Sequence, residues 1–160
     1  MEQPLSIRPA RMHMDGQDWV PAAWADALAE ALREKQRSQQ SHAHQFAAIN
    51  DCFESLPARY AQAPFAANAE AFRKHGLIAT GHCDVDTIDC GDHAAACRAA
   101  PLVARLARAA HGYAVTVVRG PLVVCSTPHS QSYKAMGKDA FNKSKADVLD
   151  WAERLLGVRP

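Results

Sequence analysis

The residues best able to do chemistry gather in the middle of the chain and near its end. His82, Cys83, Cys90, His93 and Cys97 are thiols and imidazoles, the side chains zinc selects. Their spacing matches none of the common zinc forms, because no pair stands as Cys-x-x-Cys and Cys83 and Cys90 leave a six-residue gap. Cys90-x-x-His93 is one chelating pair, and His93 with Cys97, four apart on a helix, is a second. Small buried thiols beside a surface histidine explain the same residues without a metal, so no metal ligand is assigned.

Asp84, Asp86, Asp89 and Asp92 fall in the same stretch. A calcium loop would need a tight-turn glycine where Asp89 stands and a closing glutamate where Ala95 stands. The stretch 82–92 reads as a short strand and loop, and solvated acidic residues are a simpler expectation than a cation site. The chain has no Gly-x-Ser-x-Gly elbow, no local cysteine-protease pattern and no phosphate-cradling glycine loop. No catalytic residue and no cofactor follow from the sequence, and the reading leans to a non-enzymatic role.

The basic residues say more. Lys134, Lys138, Lys143 and Lys145 are opposed only by Asp139 around one helix start, with Ser130 and Tyr133 just ahead. Lysines attract phosphates, hydroxyls and a helix N-terminus bind phosphate oxygens, and a tyrosine ring stacks on a base. Arg33, Lys35, Arg37, His42 and His44 form a second basic segment. The plain alternative for each is a solvated helix surface.

Several elements must position these groups. Tyr113 to Val118 and Leu122 to Cys125 flank Arg119-Gly120-Pro121, which predicts a β-hairpin over 113–125 with Pro121 opening its second strand and partial cover on both faces. The final helix should start at Lys138 or Asp139, stop at Gly157, and lay Phe141, Val148, Ala152 and Leu155 against a sheet. Upstream, 5–14 alternates loosely and meets Asp15-Gly16, giving a first strand and a return strand. Pro21 should open a helix with Trp24, Leu28, Ala31 and Leu32 inward, and the polar run 33–44 should separate it from a second helix over about 41–56. A third helix is expected at 68–80, with Phe72, Leu77 and Ile78 as core, and a fourth at 93–110, restarted by Pro101, with Leu102, Val103, Leu106 and Ala110 in register.

With 160 residues the chain has the length of one domain with its own core. A net charge of +1 excludes neither nucleic acid nor protein partners, since a local patch can bind when the total is near neutral. Five scattered cysteines are an odd number and argue for reduced, mostly buried thiols. No charged-then-apolar leader and no run near the ~20 apolar residues of a membrane span occurs, so a cytoplasmic protein without membrane contact is expected.

Two segments carry a resemblance. Arg37-Ser38 followed by His44-Gln45-Phe46-Ala47-Ala48-Ile49 resembles a basic, polar turn leading into an aromatic-bearing helix in small prophage proteins. Ser130-Gln131-Ser132-Tyr133-x-x-Met136, ahead of the helix with Phe141, is similar to the Ser-x-Ser-Phe-x-x-Met element of the same group. That group is distantly similar to the NinB (Orf-type) recombination accessory family of lambdoid phages. Departures are the diluting Gln39 and Gln40 and the stretch 84–92, which has no counterpart. The resemblance implies a dimer that binds single-stranded DNA and a host protein such as single-strand-binding protein, without catalysis, in the host cytoplasm.

The combined expectation is a single α+β domain over 1–160. Its small antiparallel sheet, built from the N-terminal strands and the 113–125 hairpin, is covered by four to five helices. Function is read as a phage-type recombination or replication accessory factor that binds single-stranded DNA through Lys134, Lys138, Lys143, Lys145, Tyr133 and Ser130, with Arg37 and His44. The rivals are a phage inhibitor or counter-defence factor acting on a host protein and, third, a small metal-dependent nuclease.

Overall fold

A computed structural model describes residues 12–14, 17–19 and 22–157, with the backbone alone at 12–14, 17–19, 22–25, 34, 37–39, 41, 42 and 133. The chain is α+β, and falls into two compact units, residues up to Ala43 and residues from His44. No helix among the described residues is long and apolar enough to cross a membrane.

In the first unit β1 (Met12–Met14) pairs antiparallel with β2 (Gln17–Trp19), His13 opposite Asp18. The expected return strand is therefore present, while Leu5, the Asp15-Gly16 turn and Pro21 lie outside the described residues. Helix α1 (Ala22–Glu54) then runs unbroken for 33 residues, about 50 Å at helical rise. The expected break over 33–44 is absent. Arg, Glu, Lys and Gln are strong helix formers and no Gly or Pro interrupts 22–54, so a run without apolar residues is an exposed helix rather than a loop. Leu28 and Leu32, expected inward, are 57% and 52% exposed. The other described elements of this unit are two three-residue strands, too small to cover such a helix; the Trp24 side chain lies outside the described set.

The second unit contains the end of α1, then α2 (Ala69–Ala79), β3 (Cys83–Asp89), α3 (His93–His111), β4 (Val115–Arg119), β5 (Leu122–Pro128), the short α4 (Tyr133–Met136) and α5 (Lys138–Leu156). Asn68 caps α2 by accepting from the Ala71 N–H at 2.8 Å, the expected start. Asp92 does the same for α3, accepting from the Ala95 N–H at 2.8 Å. Gly112 and Gly157 end α3 and α5 in the left-handed conformation at φ 73° and 75°.

The sheet has the order β3-β5-β4, antiparallel throughout. The hairpin is confirmed as β4 and β5, with Val117 opposite Val124 and Arg119 opposite Leu122. Pro121 sits in the turn beside Gly120 (φ 59°) instead of opening the strand. The third strand is β3, and the N-terminal strands pair with each other instead of joining this sheet. The stretch 82–92, expected as a short strand and loop, holds an edge strand of seven residues. Asp84 and Asp86 share one face with Ile88 and Asp89 shares the other with Val85 and Thr87, and as an edge the strand tolerates exposed charge.

Helix α3 lies on β4 and β5 without a restart at Pro101. The proline only removes the bond to the Cys97 carbonyl, on a side open to water where that carbonyl is easily solvated. Leu102 and Leu106 are 49% and 59% exposed rather than core, and Ala96 is the fully buried residue of this helix.

The main core is helical. Ile49 of α1, Phe65, Phe72 and Leu77 of α2, and Val148 and Ala152 of α5 form one buried cluster, with Phe53, Leu149, Trp151 and Leu155 against it. The α5 stripe was read correctly, but it packs on α2 where a sheet was expected. Gly76 makes this approach possible, since a Cβ there would stand 2.9 Å from the Trp151 ring. Among the five free thiols only Cys125 is buried; Cys52, Cys83 and Cys90 are half-buried and Cys97 is exposed.

Candidate nucleic-acid interface

The chain leaves the central strand at Pro128 and passes through His129 and Ser130 into α4 and α5. Ser130 is exposed, and with His129, His111, Met136, Ala140 and Asp84 it lines a groove of about 490 Å3. Lys134 and Lys138 are exposed on the same short segment, beside the groove residues Ala135, Met136 and Ala140. The backbone places Tyr133 at the first position of α4; its side chain lies outside the described set.

The four lysines do not share one side of α5. Lys138 and Lys145 are seven apart and so nearly in line, whereas Lys143 lies about 140° around the helix from Lys138. Lys143 reaches Asp147 at 2.7 Å, and the same Asp147 oxygen meets the His82 Nε2 at 2.8 Å. The hydrogen bonds from Lys143, then His82, hold the Asp147 carboxyl below the usual range. Lys145 is half-buried with its Nζ 5.5 Å from the Phe141 ring centroid, and burial lowers its pKa. Arg37 and His44 stand on α1, His44 exposed and Arg37 described by backbone only.

A second, more polar pocket of about 380 Å3 shares His111, His129 and Ser130 with the groove and is closed by Glu70, Arg73, Lys74 and Gln131. Sequence reasoning missed it. Arg73 is only 8% exposed. It donates through Nε and Nη2 to the two Glu70 oxygens at 2.9 and 2.7 Å, and through Nη1 to the Gln131 Oε1 at 2.6 Å. Gln131 in turn donates to the Ser144 Oγ at 3.0 Å, and Ser144 donates to the Phe141 carbonyl at 2.8 Å, tying α2 to α5. Lys74 closes the C-terminus of α3 by donating to the His111 carbonyl at 2.9 Å. Burial pushes the Glu70 carboxyl up, but the hydrogen bond and charge of Arg73, with Lys74, more than offset this and hold it low. The sequence signal was slight: Glu70, Arg73 and Lys74 have the spacing of any surface helix pair, and nothing local announces Gln131, 58 residues later.

The histidine and cysteine cluster does not assemble. Cys83 and Cys90 lie at opposite ends of β3, about 23 Å apart at strand rise, and His93 meets Cys97 alone, at 3.5 Å. No group of three or more His, Cys, Asp or Glu able to hold a metal occurs among the described residues. His129 pairs through Nε2 with Asp84 at 3.2 Å beside the exposed Ser130.

No protein-family model, no curated protein and no solved structure matches the chain.

Proposed function

We propose that the protein is a non-enzymatic, phage-type recombination or replication accessory factor that binds single-stranded DNA along the groove at 130–145. The observation that supports this reading most is that the exposed Lys134 and Lys138 stand on the segment that borders a groove lined by Ser130, His111 and His129. A strand laid there meets cations and hydroxyls on the same side. Dimerisation and contact with a host single-strand-binding protein belong to the same reading.

The test is binding of a labelled oligonucleotide as salt is raised. Replacing Lys134 or Lys138 by Ala is expected to lower the log–log salt slope by roughly 0.7 each and to weaken all sequences alike. Lys143→Ala is expected to change it less, because Asp147 already neutralises that lysine. Tyr133→Ala should cost about 1–3 kcal/mol at nearly unchanged slope if a base stacks there. A folded variant with Lys134, Lys138, Lys143 and Lys145 all replaced by Ala that binds as tightly as the parent would remove this face.

A second reading, an inhibitor or counter-defence factor acting on a host protein, is favoured by one observation. Val85 and Val117 are 58% and 45% exposed on the sheet face away from α3, and uncovered apolar area of this kind suits a protein partner. Absence of oligonucleotide binding at low salt, with a host protein retained on the immobilised chain and lost on Val85→Asp, is its expected signature.

A further inference from the structure

We propose that the pocket between α2, the C-terminus of α3 and the segment after β5 is a phosphate-binding site, with Arg73 and Lys74 as its principal donors. It goes beyond the DNA-binding reading, because its principal donors, Arg73 and Lys74, take no part in that reading although Ser130, His111 and His129 border both sites, and it stands if the lysines of α4 and α5 bind nothing.

The argument begins with Arg73. A buried guanidinium is costly unless its donors are used. One face of the group lies 5.3 Å from the Phe46 ring centroid, and its edges are held by Glu70 and by Gln131. Three of the five N–H groups of an arginine are spent in this way, which leaves two on a group that cannot turn. The Gln131, Ser144 and Phe141 chain fixes it from the far side. This is a pre-oriented donor, the arrangement that costs least when an anion arrives.

Charge points the same way. The titratable groups that line the pocket are Glu70, Arg73 and Lys74 from α2, His111 from α3 and His129 after β5. Glu70 balances one of the two fixed cations, so the α2 side of the pocket keeps one surplus positive charge, while Asp84 faces His129 at 3.2 Å on the other side. Lys74, 3.6 Å from Glu70 and 2.9 Å from the His111 carbonyl, is anchored with donor capacity to spare. Ser130 and His111 add donors from the other elements, and His129, whose Nε2 faces Asp84, adds its Nδ1 as a donor when the ring is protonated. Donors arriving from three sides suit a tetrahedral oxyanion better than a planar carboxylate, which one arginine fork satisfies alone.

The ligand chemistry is a phosphate group, carried by a nucleic-acid backbone or by a free or terminal phosphate. The experiment is an NMR titration of the full chain, following the His111 and His129 ring signals, with inorganic phosphate, acetate, and a dinucleotide with and without a 5′-phosphate. Saturable shifts with phosphate, weakened about tenfold or more by Lys74→Gln, are expected, the loss one charge-assisted hydrogen bond explains. Lys74 is the residue to change because it is partly exposed, whereas losing Arg73 endangers the fold; His129→Gln is the second variant and should also weaken binding. Shifts with both dinucleotides assign a backbone phosphodiester, and shifts only with inorganic phosphate and the phosphorylated dinucleotide assign a monoester. The protein with Lys134, Lys138, Lys143 and Lys145 replaced by Ala should still bind phosphate, which separates this site from the DNA-binding face. Absence of shifts with every phosphate, equal binding of acetate, or phosphate binding unchanged in folded Lys74→Gln and His129→Gln overturns the proposal.

Discussion

The helical and the sheet parts of the second unit treat their apolar side chains in opposite ways. Where α1, α2 and α5 meet, Phe72, Leu77, Val148 and Ala152 have no exposure at all, and Phe72 stacks within 4.9 Å of Trp151. In the sheet, Val123 is closed off but Val85, Ile88 and Val117 are each more than 40% exposed. One helix covers β4 and β5 on one side, and the edge strand β3 lies beyond it. The difference teaches that stability resides in the helices, while the sheet supplies a platform and the strand end from which the groove and pocket are built.

The comparison breaks first at Val148. Val148→Asp places a charge in the helical core and should cost about 3–5 kcal/mol, whereas Val85→Asp on the open strand should stay within about 0.5 kcal/mol. Urea unfolding of both variants decides it, and equal losses would mean the sheet face is buried after all. Gly76→Ala sharpens the contrast. Alanine normally improves a helix interior by about 1 kcal/mol, but here the new Cβ meets the Trp151 ring at 2.9 Å and Val148 Cγ1 at 3.0 Å. A net loss of about 1–3 kcal/mol is expected from overpacking, visible as a lower urea midpoint.

Gln45 is the weak point of the core. It is 1% exposed and neither amide atom has a partner among the described residues, so Gln45→Met should be neutral or stabilising by up to about 1 kcal/mol. A marked loss would show that the amide has a role in the fold. The smallest expected effect is a pH slope. His75 packs against Phe65 and Trp151, and its Nδ1 is 2.9 Å from the Tyr113 hydroxyl. Burial lowers its pKa, which favours the neutral ring when folded. Below the ordinary imidazole range of ~6.5 the unfolded chain binds the extra proton, so stability should fall as pH drops from neutrality through that range. Unfolding free energy measured against pH should lose this slope in a His75→Gln variant.

The readings that held rest on local chemistry. Asn68 and Gly157 mark helix ends through capping and left-handed backbone, which need only neighbours in sequence. The hairpin followed from β-branched runs around Gly120, and the α5 stripe from steps of three and four. The misses share another cause. In α1 a polar run was taken for a break, although periodicity reports which side is buried and not whether a helix exists. In β3 the aspartates hid how far the expected short strand extends, because an edge need not be apolar. The lysines were legible as a group, but the rotation per residue sends Lys143 to another side, and Asp147 answers it there.

The sequence by itself determined the α+β class, most of the second unit's helix and strand positions and the apolar stripe of its last helix, because capping, periodicity and turn chemistry act over a few residues. Only the tertiary structure decided that α5 packs on α2, that β3 completes the sheet, and that Arg73 meets Gln131 across 58 residues to form a polar pocket. Such pairings depend on shape and on the burial of whole elements. A free energy of that kind belongs to surfaces brought together from distant parts of the chain, and no short stretch of sequence carries it.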